Sequence, residues 1–127
     1  MPETAPSALI TGGSRGIGAR LAALLAADGI DVTITYRRRA EAAAEVVAGI
    51  RRRGGTAHAT RVELEDPGDI DALFAGDAAF DFVVANAAAS AFKPIAQLST
   101  SNLQRSWETN VRSFVLLAQR AAERMPR

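Results

Sequence analysis

Gly12, Gly16 and Gly18, with Arg15 among them, lie in the stretch ALITGGSRGIG, residues 8–18. Glycine gives up backbone entropy on folding, so such a cluster needs a purpose. Directly behind a short apolar run, a glycine turn can bring backbone N–H groups against a pyrophosphate. The N-terminus of the following helix then favours the negative charge. Cβ atoms would block either the approach or the turn. The spacing is Gly-x3-Gly-x-Gly, not the Gly-x-Gly-x-x-Gly of many dinucleotide sites. A second group with binding chemistry is YRRR, residues 36–39. Where a coenzyme carries a free ribose 2′-hydroxyl, an acid at the end of the second strand usually grips it. Here Tyr36 holds that position, Arg37, Arg38 and Arg39 follow, and no acid comes before Glu41. Guanidinium forks bind phosphate oxygens in pairs. Arginines at a helix start also oppose the helix dipole, so a phosphate partner explains them better than a solvated face. They point to a phosphate on the ribose 2′ position. Arg51 to Arg53 fall at a helix end, where the dipole favours them, and read as a solvated face.

These groups must be positioned by alternating strands and helices. SALIT (7–11) reads as a buried strand and GARLAALLAADG (18–29) as a helix with Leu21, Leu24 and Leu25 on one face and Gly29 as its stop. DVTITY (31–36) is a strand rich in β-branched residues, and RAEAAAEVVAGIRRR (39–53) a helix stopped by Gly54. TAHATRVEL (56–64) predicts a third strand, DPGDIDALFAG (66–76) a short helix and FDFVVA (80–85) a fourth strand. After Pro94, Ser99 or Thr100 caps a long helix running to about Met125. Four β-α units in succession predict an α/β fold, a parallel sheet with helices on both faces.

Composition sets the outer limits. The 127 residues suit one domain, with 48% hydrophobic and 23% charged residues. There is no cysteine, which excludes disulfides and thiolate metal sites, and no metal site is expected. A net charge of +1 and the lack of interleaved aromatics argue against a nucleic-acid partner. No secretion signal is visible and no apolar run approaches the roughly 20 residues of a membrane span, so a cytoplasmic protein without a membrane partner is expected. His58 reads as an exposed strand residue, and Trp107 as a core or interface anchor.

The motif TGGSRGIG resembles the Thr-Gly-x3-Gly-x-Gly coenzyme motif of the short-chain dehydrogenases/reductases, and the likeness extends over nearly the whole chain. VVANAAA (83–89) lies where that family carries Asn-Asn-Ala-Gly after strand four, and WETNV (107–111) supplies the family's helix asparagine as Asn110. The resemblance implies a Rossmann-type sheet of order 3-2-1-4, incomplete in this chain, and NADP(H) as coenzyme. It implies coenzyme contacts from Gly12, Ser14, Arg15, Gly16, Ile17, Gly18, Tyr36, Arg37, Arg38, Glu63, Leu64, Asn86 and Ala87, and a catalytic place for Asn110. Glu63 and Leu64 stand where the family has Asp-Val against the adenine, and Glu reaches one methylene further. Ala85 and Ala88 replace the first and last residues of the Asn-Asn-Ala-Gly motif, and Ala88 adds a methyl where the backbone passes the ribose. Asn86 to Ser90, followed by Pro94, is similar to the third type of enoyl-acyl-carrier-protein reductase and to 3-oxoacyl-acyl-carrier-protein reductases. A small-molecule or acyl-thioester substrate with a carbonyl or enoyl group is implied.

Reduction of a carbonyl needs an acid to supply a proton. The family uses a tyrosine with a lysine a few residues on, helped by a serine. Tyr36 and Lys93 are the only tyrosine and lysine here, so no Tyr-x3-Lys occurs. The resemblance therefore implies a domain over 1–127 truncated before its fifth strand, the coenzyme-binding half of a reductase and inactive alone. One chain of a split reductase, or a non-catalytic nucleotide-binding or dimerisation module, are the alternatives. FDFVVA would then be a sheet edge, and Trp107, Val111, Phe114, Val115 and Leu117 are too many for one buried stripe. A homo-oligomer or a completing partner chain is expected. The stretch between Leu73 and Phe80 is also short for the family, by about one helical turn.

Overall fold

The computed structural model describes residues 4–125. Its centre is β1 (Ser7–Ile10), in which Ala8, Leu9 and Ile10 are fully buried. β2 (Asp31–Tyr36) pairs with it in parallel, Ser7 facing Asp31 and Ile10 facing Ile34. β3 (Ala57–Arg61) pairs with the far side of β2, and β4 (Phe82–Val84) with the other side of β1. The order is β3-β2-β1-β4, all parallel, as expected for the Rossmann-type arrangement.

A central parallel strand is covered on both faces and so reads as an unbroken apolar run. Successive side chains of β1 point to opposite faces. Ile10 joins the core under α1 (Gly16–Ala27) and α2 (Ala40–Arg52), with Ala22, Ala26, Val32, Ile34, Ala43, Val47 and Ile50. Leu9 joins the opposite core with Val62, Leu64, Ile70, Leu73, Phe74, Leu117 and Ala121. That second core lies under α3 (Pro67–Leu73) and α5 (Ser113–Arg124). Each fully buried aliphatic side chain contributes about 1.5–3 kcal/mol.

The fully buried stripe of α1 is Gly18, Ala22 and Ala26, four apart; Leu21 and Leu25 pack half-buried against the same core, as expected, while Leu24 is exposed. Small residues let this helix lie close on the sheet. Strand and helix ends also differ from expectation. β3 stops at Arg61 rather than at residue 64, because Val62 N–H makes a last bond to the Tyr36 carbonyl (2.9 Å) and the chain then turns. Asp66 caps α3 by accepting from Gly68 N–H at 2.8 Å, and that helix ends at Leu73. β4 is three residues long and, among the described residues, pairs only with β1.

The long last helix is interrupted. Ser99 and Asn102 form a reciprocal capping box at the start of α4 (Thr100–Trp107). A π-helical turn, Glu108–Arg112, follows before α5, and no part of the sequence pattern announces it. Leu117 is buried, contrary to its place in the exposed apolar set, whereas Trp107, Val111, Phe114 and Val115 are about half exposed. Trp107 is therefore not a core anchor. His58 is exposed on β3, its Nε2 3.5 Å from Asp31 Oδ1. Among the described residues no helix is long and apolar enough to cross a membrane, and no His, Cys, Asp and Glu group is arranged to hold a metal ion.

Candidate functional site

Parallel strands carry all their C-terminal loops to one end of the sheet, where α/β folds bind ligands. Four such loops meet here around a cleft of about 500 Å³. The glycine turn after β1 forms its floor. Gly12 has φ +67°, and a Cβ there would come within 2.9 Å of Ala87 Cα. Gly12 N–H donates to Thr35 Oγ1 (3.3 Å) and Gly13 N–H to the Thr35 carbonyl (2.9 Å), which fixes the turn against β2. Gly16, at φ +57°, opens α1 with nothing within 4 Å of its would-be Cβ. The first turn of α1 has no side-chain cap and no acidic residue, so its N–H groups are free for an anion.

Gly18 does not line the cleft. It lies beneath it, packed on the Gly12 carbonyl oxygen and 2.8 Å, at its would-be Cβ, from Asn86 Nδ2. Asn86 ties the β1 and β4 loops together. Its Nδ2 donates to the carbonyls of Thr11 and Gly12, each at 3.1 Å, while Thr11 Oγ1 accepts from the N–H groups of Asn86 and Ala87.

At the other end of the cleft stand Tyr36, Arg37, Arg38 and Arg39. Arg37 Nε is 2.7 Å from Glu63 Oε2 in an ion pair. Arg15, Arg38 and Arg39 make no ion pair among the described residues, which leaves three guanidinium groups on the rim. Glu63 and Leu64 form the wall after β3, Leu64 with its side chain in the core. Ile17 is 79% exposed at the mouth.

The sequence places all but two of its site residues in this cleft, Gly18 and Asn110 being the exceptions. Asn110 sits on the π turn. Its Nδ2 donates to the Ala89 carbonyl (2.7 Å) and its Oδ1 accepts the Ala89 N–H (2.9 Å). The side-chain amide thus pairs with both backbone groups of one residue in the loop after β4. Thr35, Arg39, Val62, Ala88, Ala89 and Thr109 also line the cleft beyond the expected set. Thr35 and Arg39 adjoin expected residues, and adjacency in the strand was the available signal. Thr109 adjoins the expected Asn110 and stands four residues before Ser113 and eight before Leu117, both buried, so helical spacing was its signal.

Behind the Glu63 wall, Glu65 accepts from Arg105 Nε at 3.0 Å and from Thr109 Oγ1 at 3.4 Å. Arg112 Nη2 donates to the Glu65 carbonyl at 2.6 Å. The Arg105 guanidinium holds the Glu65 carboxyl below the usual carboxylate range against the opposing effect of burial. The same bond raises Arg105. The β3 loop and the helix carrying Asn110 are therefore one hydrogen-bonded unit.

The donor set suits a dinucleotide bearing an additional phosphate. A side-chain-free turn and open helix N–H groups face the middle of the cleft, and unpaired arginines stand where the second strand ends.

Residues 6–127 match the family described as short chain dehydrogenase. The chain is 43% identical over 121 residues to a 1-cyclohexenylcarbonyl-CoA reductase of Streptomyces collinus, covering 92% of this chain and 43% of that protein. Among solved structures, it resembles a short chain dehydrogenase of Burkholderia cenocepacia in complex with NADP, with TM-score 0.87 and 38% identity over 94% of this chain and 51% of that one. It also resembles the landomycin C-6 ketoreductase LanV with bound NADP and rabelomycin, with TM-score 0.90 and 34% identity over 97% of this chain and 54% of that one. The chain spans about half the length of the curated relatives it matches.

Proposed function

The chain belongs to the short chain dehydrogenase family, and from that membership we propose that it forms the coenzyme-binding part of an NADP(H)-dependent reductase. One observation carries the coenzyme choice. The end of β2 presents Arg37, Arg38 and Arg39 to the cleft, with Arg15 opposite and no acid on that strand end. Arginine selects a 2′-phosphate there, as an acid would select a hydroxyl.

In this reading Gly12, Ser14, Gly16 and Ile17 offer backbone to the pyrophosphate, and Gly18 lets α1 close beneath them. Glu63 and Leu64 flank the adenine, while Asn86 and Ala87 hold the floor under the ribose. Tyr36 borders the 2′-phosphate end. Asn110 belongs to the catalytic end through the Ala89 backbone groups it holds. Bound NADP(H) would supply a hydride to a carbonyl or enoyl carbon. The proton must come from an acid outside these 127 residues, which contain no Tyr-x3-Lys. A small-molecule or acyl-thioester substrate is supported by the S. collinus relative, whose name is that of an acyl-CoA reductase.

The free edge of β4 and the half-exposed Trp107, Val111, Phe114 and Val115 support assembly with a further strand, from a second copy or a completing chain. A cytoplasmic setting fits a chain without cysteine. The lack of the Tyr-x3-Lys pair favours a second reading, a nucleotide-binding module without catalysis of its own.

Calorimetric titration of the chain with NADP(H) and NAD(H) tests the proposal. Tighter NADP(H) binding is expected, weakened most by Arg37→Asp with Arg38→Asp. Equal or tighter NAD(H) binding would overturn the coenzyme assignment. Steady NADPH oxidation with enoyl or acetoacetyl thioesters by these 127 residues alone would overturn the assignment of the proton donor.

A further inference from the structure

Arg37 differs from its neighbours on the rim of the cleft because it is already engaged. Its Nε lies 2.7 Å from Glu63 Oε2, while the other carboxylate oxygen, Oε1, takes the Glu65 N–H at 3.5 Å. The Glu63 backbone is itself held, its N–H donating to Asp69 Oδ2 at 2.8 Å. The carboxylate is thus fixed from both sides and carried on a loop anchored to α3. It faces Arg37 because β2 and β3 run in parallel register, Tyr36 beside Arg61, so their two C-terminal extensions emerge together.

We infer that Glu63 is a specificity-determining residue that lowers the preference for a 2′-phosphorylated coenzyme by holding Arg37 in an intramolecular ion pair. This rests on the coenzyme reading above. A 2′-phosphate must draw Arg37 from the carboxylate or share it, whereas a coenzyme with a free 2′-hydroxyl leaves the pair intact. Arg38 and Arg15, which make no ion pair among the described residues, supply the standing attraction for phosphate. The Arg37 and Glu63 side chains are 37% and 26% exposed, so the competition is between partly solvated groups and its effect is moderate.

The test is a fluorescence titration of the full chain with NADPH and NADH, in the native sequence and in Glu63→Gln, Arg37→Gln and the double variant. Glu63→Gln keeps the shape and the hydrogen-bonding reach and removes the charge. It should raise the affinity for NADPH relative to NADH about three- to fivefold, any change in the adenine contact of Glu63 falling on both coenzymes alike. NADH serves as the internal check on folding and on the adenine pocket, since both coenzymes share that half. In the Arg37→Gln background, adding Glu63→Gln should leave the NADPH/NADH ratio within about twofold, because the effect runs through Arg37. An unchanged or lower ratio in Glu63→Gln overturns the inference. An equal gain with and without Arg37 also overturns it, since Glu63 would then act on the phosphate directly. A native chain with no preference for NADPH overturns the coenzyme reading itself and is told apart from these outcomes by the native titration alone.

Discussion

Gly18→Ala is the substitution that most directly tests how the glycine turn and α1 are fitted together. An alanine inside a helix ordinarily gains about 1 kcal/mol over glycine. Here its Cβ would press on the Gly12 carbonyl oxygen and lie 2.8 Å from Asn86 Nδ2 and 3.0 Å from the Gly12 carbonyl carbon. Ordinary contact begins at 3.4 Å, so even the Asn86 amide must retreat by 0.6 Å, and the carbonyl by more. Neither can move alone, because that amide and that carbonyl are hydrogen-bonded to each other at 3.1 Å. Overpacking costs about 1–3 kcal/mol and loss of the bond about 1 kcal/mol. Set against the propensity gain, the net is a loss of about 1–3 kcal/mol, or roughly 3–10 °C in Tm for a domain of this size. Gly49→Ala is the internal comparison. It lies within α2, and the nearest atom to its would-be Cβ is Arg52 Nη2 at 3.7 Å. That variant should be more stable than the native chain by about 0.5–1 kcal/mol. Urea unfolding of both, followed by circular dichroism, gives the two signs. If Gly18→Ala matched Gly49→Ala in stability and still bound coenzyme as the native chain does, the close seating of α1 on the turn would be wrong.

Asn110→Ala removes both bonds to the Ala89 backbone, so the Ala89 amide should exchange with solvent at least tenfold faster, with global stability little changed. Unchanged exchange would mean that the loop is held by other contacts. The Glu65 carboxyl lies below its ordinary range through the Arg105 bond, so its contribution is complete above the unfolded value and is lost as pH falls through the lower folded one. Urea midpoints measured from about pH 5 down to pH 3 should fall more steeply in the native chain than in Glu65→Gln, and parallel slopes would refute this. Sedimentation at micromolar concentration should show dimers or larger species, reduced by Phe114→Glu or Val111→Glu. A monomer whose residues 82–84 have protected amides would show that the β4 edge is covered within the chain.

Element order and sheet order were legible because each β-α unit announces itself locally, by an apolar or β-branched run and then a helical repeat. The ends of the elements were not. Val62 and Leu64 read as strand because they are apolar and two apart, and both are indeed buried, but in the loop that turns under α3. Burial and strand geometry part company there, and the pattern reports only burial. Of the α1 leucines, Leu21 and Leu25 do pack on the core, but Leu24 is exposed and the deepest places go to Gly18, Ala22 and Ala26, since a helix set close on a sheet buries its smallest residues. The π turn left no trace in the spacing. Within and just after it Thr109 and Ser113, four apart, are buried, and the Ser113 hydroxyl donates to the Thr109 carbonyl. Asn110, on the same turn, reaches Ala89.

The arginines show most clearly where sequence reading ends and geometry begins. Fourteen of them in one chain suggest only a basic surface, and three in a row after β2 suggest a phosphate. Pairing and place together decide between the two meanings. Arg105 is held by Glu65, Arg112 by Glu108, and Arg120 by Asp71 at 2.6 Å, and each of these ties one element to another or braces a helix. Arg51 donates to the Ala57 carbonyl, joining α2 to β3, so the triple at the end of α2 is partly structural rather than only a solvated face. Of the arginines without an ion partner among the described residues, Arg15, Arg38 and Arg39 share one cleft, whereas Arg20, Arg52, Arg53 and Arg61 lie outside it. Arg37 stands between the two sets. Its partner Glu63 is 26 residues away, and only the parallel register of β2 and β3 brings them together. A local motif can place a charge at the site, but whether that charge is free to bind depends on a residue from another strand. On the inference drawn for Glu63, the decisive substitution is therefore on the carboxylate rather than on an arginine.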